Sequence, residues 1–103
     1  MGAIKQRGNN QIYMDKYIQL MTEEGRNMPS IQQYTCRVGQ FADSLNGKDL
    51  LSITHDELEN YMKQGKEFQR HHINGFFKSM LQYNVNDLQN NIDRSMLLYL
   101  AMN

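Results

Sequence analysis

Apolar residues recur along this chain at helical rather than strand spacing. Tyr13, Tyr17, Leu20 and Met21 fall on one stripe, which predicts a first helix over Asn10–Glu24. Gly25 is its natural stop, because glycine readily adopts the left-handed conformation that ends a helix. Ile31, Tyr34, Val38, Phe41 and Leu45 repeat the spacing and predict a second helix over Ser30–Leu45. Pro29 sits at or just before its first turn, where a missing N–H costs nothing. Asn46-Gly47 closes it.

Lys48–Ile53 reads as a connector with Leu50, Leu51 and Ile53 pointing inward. Thr54-His55-Asp56-Glu57 is a capping box, in which the threonine hydroxyl and the glutamate each bond the other's backbone amide. It fixes the start of a third helix carrying Leu58, Tyr61 and Met62, broken at Gly65. A fourth helix is predicted from Lys66 to Tyr83, with Ile73, Phe76, Phe77, Met80 and Leu81 as its apolar face. Asn84-Val85-Asn86 interrupts the pattern. A fifth helix is expected to start at Asn86, with Asp87 at its positive end, and to continue through Leu88, Ile92, Met96, Leu97, Leu98 and Leu100. No strand pattern competes. The expected fold is all-α: four core helices plus a C-terminal fifth, over residues 10–103, behind a flexible arm at 1–9.

The length of 103 residues suits one domain and one core. No apolar run approaches the length of a membrane helix, and the N-terminus lacks the apolar stretch of a signal peptide. The single Cys36 cannot staple the fold internally and points to a reducing, cytoplasmic setting. The 11 Lys and Arg balance 11 Asp and Glu. Phosphate neutralisation supplies most non-specific nucleic-acid affinity, so a neutral chain binds DNA only if its charges are segregated.

Lys66, Arg70, Asn74 and Lys78 recur every fourth residue of the predicted fourth helix, with His71 beside them. On the second helix Gln33, Arg37 and Gln40 share the polar face. A charged stripe is also the solvated side of any surface helix. Periodicity alone leaves both readings open.

The order of these segments resembles the N-terminal core-binding (SAM-like) domain of tyrosine recombinases, the phage-integrase family. In that family a helix patterned T-x-x-x-Y-x-x-x-x-x-x-F leads into K-x-L-x-x-I-T-x-x-D-L-x-x-Y, and then into a helix rich in basic residues and Phe. Here Ser30, Tyr34 and Phe41 lead into Lys48-Asp49-Leu50-Leu51-Ser52-Ile53-Thr54 and on to Tyr61, followed by the helix with Phe76-Phe77. The likeness spans roughly Tyr13 to Tyr83. It implies a clamp on double-stranded DNA through helices two and four, with Gln33, Arg37, Gln40, Lys66, Arg70, His71, Asn74 and Lys78 as contacts. Arg and Lys would meet phosphates, while Gln33 or Asn74 could reach a base edge. It also implies a catalytic domain elsewhere, so that the chain is no enzyme by itself. Asp93–Met102 resembles the helix before the family's catalytic arginine motif, R-x-x-L-L-x-L-x-x-x-T-G-L-R. On that likeness residues 86–103 are either a closing helix or the start of a missing domain.

Other chemistry finds little support. Adjacent His71 and His72 point about 100° apart on a helix, and no second cysteine or H-x-x-x-H spacing accompanies them, so no metal or cofactor is expected. The tyrosines read as core aromatics with wet hydroxyls and the methionines as core filler. No membrane or small-molecule partner is expected. The apolar end of the fifth helix must pack on the bundle, a missing domain or a second copy. That need supports an alternative function: a small protein–protein interaction module, such as an adaptor or anti-repressor. The DNA reading carries one further expectation. Lys66, Arg70 and Lys78 should share an exposed face with Arg37, while Asp43, Asp49, Glu57 and Glu59 lie mostly elsewhere.

Overall fold

Gly25, at φ 82°, ends the first helix with two backbone bonds. Arg26 N–H reaches Met21 O and Gly25 N–H reaches Thr22 O, both at 3.1 Å. This reciprocal pair satisfies carbonyls that the last turn would otherwise orphan. The computed structural model describes residues 8–82 and 92–102, and all regular structure within them is helical. Helix α1 spans Asn9–Glu23 and α2 spans Met28–Ser44. A 3-10 turn at Leu50–Ser52 precedes α3, His55–Tyr61. After a bend and a second 3-10 turn at Glu67–Gln69 come α4, Arg70–Gln82, and finally α5, Arg94–Ala101.

Local chemistry sets these boundaries. Asn27 caps α2 by accepting from Ser30 N–H at 2.9 Å, with Pro29 inside the first turn. That start precedes the expected Ser30, because the cap is the asparagine. The capping box of α3 is complete: Thr54 Oγ1 accepts from Glu57 N–H at 3.1 Å and Glu57 Oε1 accepts from Thr54 N–H at 2.9 Å. Gly65, at φ 81°, and the non-helical Gln64 break the chain between α3 and α4. The residues that follow wind first as the 3-10 turn Glu67–Gln69, so the fourth α-helix begins at Arg70 rather than Lys66. The expected start of the fifth helix at Asn86 lies outside the described residues, as do Asp87, Leu88 and the arm at 1–7. Continuity from there to Leu100 is corrected, because Asp93 is extended and caps α5 by accepting from Ser95 N–H at 2.8 Å.

The core draws on every element. Phe41, Leu50, Leu51, Ile53, Leu58, Ile73, Phe76, Phe77, Met80 and Met96 are fully buried. Tyr17 meets Phe76 edge to face, with centroids 5.4 Å apart, a favoured aromatic geometry. The Lys48–Ile53 connector does turn Leu50, Leu51 and Ile53 inward. Polar bonds hold it there. Buried Asn10 on α1 donates to Lys48 O at 2.9 Å and accepts from Leu50 N–H at 2.7 Å. Tyr13 donates to Asp49 at 2.8 Å, and burial together with that carboxylate pushes its hydroxyl up to about 12. The same connector anchors α5, since Asp93 N–H reaches Leu51 O at 3.2 Å.

Candidate functional site

The side chains expected to form one DNA-facing surface divide among three settings. Two of them, Arg70 and Asn74, face α5. Arg70 Nη1 donates to Glu59 Oε2 at 2.7 Å and Nη2 to Glu59 Oε1 at 2.8 Å. Nη2 also donates to Glu67 at 2.9 Å, Nε bonds the same carboxylate, and Nη1 reaches the Tyr99 hydroxyl at 2.8 Å. Asn74 Nδ2 donates to the same hydroxyl at 3.0 Å. His55 stacks on Tyr99, with centroids 4.3 Å apart, and bonds Glu59. These groups form one polar clasp joining α3, α4 and α5. The expectation of an exposed Arg70, with Glu59 elsewhere, is corrected: the guanidinium is half-buried and already neutralised by two carboxylates. Sequence reasoning missed this clasp. Its visible signal was the i,i+3 spacing of Glu67 and Arg70, whereas Glu59 and Tyr99 come from distant elements.

Lys66 is non-helical, at φ −107° and ψ 12°, and a 3-10 turn separates it from α4, which removes it from the stripe. Lys66 lies in the bend before the second 3-10 turn, so it does not continue the α4 face of Arg70, Asn74 and Lys78. Lys78 is exposed and lines a shallow groove with His71, Asn74 and Gly75.

The third setting is the seam between α2 and the start of α4. Tyr34 Oη lies 3.0 Å from His71 Nε2, and Gln69 Nε2 donates to Gln40 Oε1 at 2.6 Å. These bonds place the polar side of α2 beside the α4 N-terminus. Gln33 and Gln40 are exposed there, and His71 is exposed across the seam. Arg37 is half-buried between them. Its guanidinium carbon sits 4.7 Å from the ring centroid of Phe68, a cation–π contact. Arg37 Nε and the neighbouring His72 Nδ1 are both buried without a hydrogen-bond partner. No carboxylate among the described residues pairs with Arg37. Burial lowers the His72 pKa, and its neighbours His71 and Arg37 lower it further.

The seam also departs from ordinary partition of side chains. In the 3-10 turn Glu67–Gln69 the glutamine is fully buried and the phenylalanine is 57% exposed. Gln69 is satisfied, because Tyr61 donates to its Oε1 at 2.6 Å while its Nε2 serves Gln40. That pair of bonds fixes the turn with Phe68 outward.

The His71 and His72 rings are steeply inclined to each other, at 74°. Among the described residues no group of three His, Cys, Asp or Glu side chains could hold a metal ion. Among them also, no helix is long and apolar enough to cross a membrane. No family model, curated protein or solved structure matches the chain.

Proposed function

We propose that this chain is a DNA-binding module that grips duplex DNA with the α2 surface and the bend before α4. It follows the integrase core-binding (SAM-like) pattern of a tyrosine recombinase or of a recombinase-like phage regulator. The reading rests on one observation above all: Arg37 has no carboxylate partner among the described residues, and it is flanked by exposed amides. Three other cations do have acidic partners: Arg26 with Glu24, Lys48 with Glu57, and Arg70 with Glu59 and Glu67. A half-buried cation without a counter-ion is stabilised by an anion brought to it, and a DNA phosphate supplies one. Gln33, one turn before Arg37 on the exposed side of α2, offers the donor–acceptor pair that base edges require, whereas the Gln40 amide is engaged by Gln69 and Cys36. Lys66 in the bend before α4 and Lys78 on α4 itself add charge. The module has no strand-transfer chemistry of its own; a separate domain would supply it.

Titrating a short duplex at low and moderate salt tests this reading. Binding is expected in the micromolar range or looser, as for sequence-independent contacts, and to weaken as salt rises. Arg37→Ala is expected to reduce both the affinity and the salt slope, the latter by about one. Absence of any duplex binding at low salt overturns the reading.

A second reading has its own observation. Leu98 and Met102, four residues apart on and just after α5, are 60% and 86% exposed. An apolar edge of this kind suits a protein contact, either a catalytic domain or a second copy. Salt-independent self-association in sedimentation, lost in Leu98→Asp, would favour it over DNA binding.

A further inference from the structure

Of the chain's four phenylalanines, Phe41, Phe76 and Phe77 are fully buried and Phe68 stands outside. A turn free to choose would bury the phenylalanine and expose the glutamine, since apolar burial is the dominant favourable term in folding. Here the bonds from Tyr61 to Gln69 and from Gln69 to Gln40 hold the opposite arrangement. Arg37 lies over the Phe68 ring and brings a charge that no carboxylate among the described residues pairs. Lys63 and Lys66 precede it in the bend. The surface thus combines a flat π face with positive charge.

From this geometry we infer that Phe68 and Arg37 form a stacking platform for one unpaired base of DNA, with the adjoining phosphate on Arg37. The inference rests on the DNA reading above and deepens it. A purely apolar partner would leave Arg37 uncompensated. A nucleotide supplies both complements at once, a ring to stack and an anion to pair. A base within a paired helix has both faces covered by its neighbours. The platform therefore selects a base already out of the stack, as at a bulge, where unstacking costs least.

The 103-residue chain can be tested with two duplexes of one sequence, one fully paired and one carrying 2-aminopurine as a single-nucleotide bulge. The wild type is expected to bind the bulged duplex about fivefold or more tightly, a factor within the range of base–aromatic stacking. The 2-aminopurine emission should change on binding. Phe68→Leu, which keeps an apolar side chain and removes the ring, is expected to abolish both the preference and the emission change. Ile12→Ala, at an exposed apolar position on α1, should retain both. Matching thermal melts of the two variants exclude unfolding as the cause. Equal affinity for the two duplexes, or a preference that survives Phe68→Leu, overturns the platform and leaves the duplex reading standing. Binding to the bulged duplex alone upholds the platform and overturns the duplex reading. Binding to neither overturns both.

Discussion

The guanidinium of Arg70 meets the carboxylate of Glu59 through two parallel bonds of 2.7 and 2.8 Å. A fork-to-fork pair of this kind is stronger and more directional than a single contact. It ties α3 to α4, and the added bond to the Tyr99 hydroxyl ties both to α5. Arg70→Ala is therefore expected to destabilise the fold by about 1–3 kcal/mol, the range for breaking a hydrogen-bonded network at a partly buried position. Arg70→Lys should recover only part of that loss, because a single ammonium cannot reproduce the planar fork. Urea unfolding of the three proteins measures it, and a change within about 0.5 kcal/mol, as at an ordinary surface position, would contradict the clasp.

The same pair gives stability a pH dependence. Hydrogen bonds from Arg70, followed by its charge and by His55, hold the Glu59 carboxyl down to about 2 against an ordinary value of 4.5. The folded state thus favours the ionised form more than the unfolded state does. The stabilisation is complete above about 4.5 and is lost as pH falls from there through about 2. Glu57, lowered mainly by its bond from Lys48, acts in the same direction. Thermal melts between pH 6 and roughly pH 2 should show a falling midpoint, and Glu59→Gln should flatten part of the fall while lowering stability at neutral pH.

The periodic parts of this fold were legible because each follows from local chemistry. The stripe of Tyr13, Tyr17, Leu20 and Met21, the glycine stop at Gly25 and the Thr54–Glu57 box all concern residues within a few positions of one another, and the structure contains all three. The candidate surface was less legible. Spacing of four suggested one face through Lys66, Arg70, Asn74 and Lys78, but Lys66 is non-helical and the 3-10 turn at Glu67–Gln69 breaks the α-helical phase before Arg70. Arg70 is drawn to Glu59, 11 residues earlier, and to Tyr99, 29 residues later. Such partners depend on how α3 and α5 dock, which no periodicity encodes. The Asn10 bridge to the connector is hidden for the same reason.

That bridge carries its own expectation. Asn10 is almost wholly buried and satisfies both Lys48 O and Leu50 N–H. Asn10→Ala leaves a buried amide donor and a carbonyl without partners, at a cost of about 1–3 kcal/mol. Asn10→Ser, which is too short to span both groups, should recover little. Hydrogen exchange at the Leu50 amide reports the loss directly, and unchanged protection there would show that another acceptor takes over.

Removal of the α3 cap should be felt locally. Thr54 Oγ1 is the acceptor for Glu57 N–H, and Thr54→Ala is expected to cost about 1 kcal/mol. Thr54→Ser keeps the hydroxyl and should stay close to the parent. Chemical denaturation distinguishes the two, and equal losses would assign the effect to the threonine methyl rather than the cap.

The split of the expected basic surface makes a last, differential prediction. Lys66 lies in the bend before α4 and Lys78 is exposed on α4 itself, whereas Arg70 is committed to Glu59 and Glu67. If the proposed surface meets phosphates, the Lys66→Ala, Lys78→Ala double variant should lower duplex affinity and flatten its salt slope by about one to two. Its stability should move by no more than about 0.5 kcal/mol per site. Arg70→Ala should do the reverse, lowering stability while leaving the salt slope of the remaining folded protein near that of the parent. Anisotropy titrations at several salt concentrations, paired with urea melts, separate the two behaviours. A salt slope that falls in Arg70→Ala and not in the double variant would mean that the clasp opens on DNA and that Arg70 exchanges its carboxylates for phosphate.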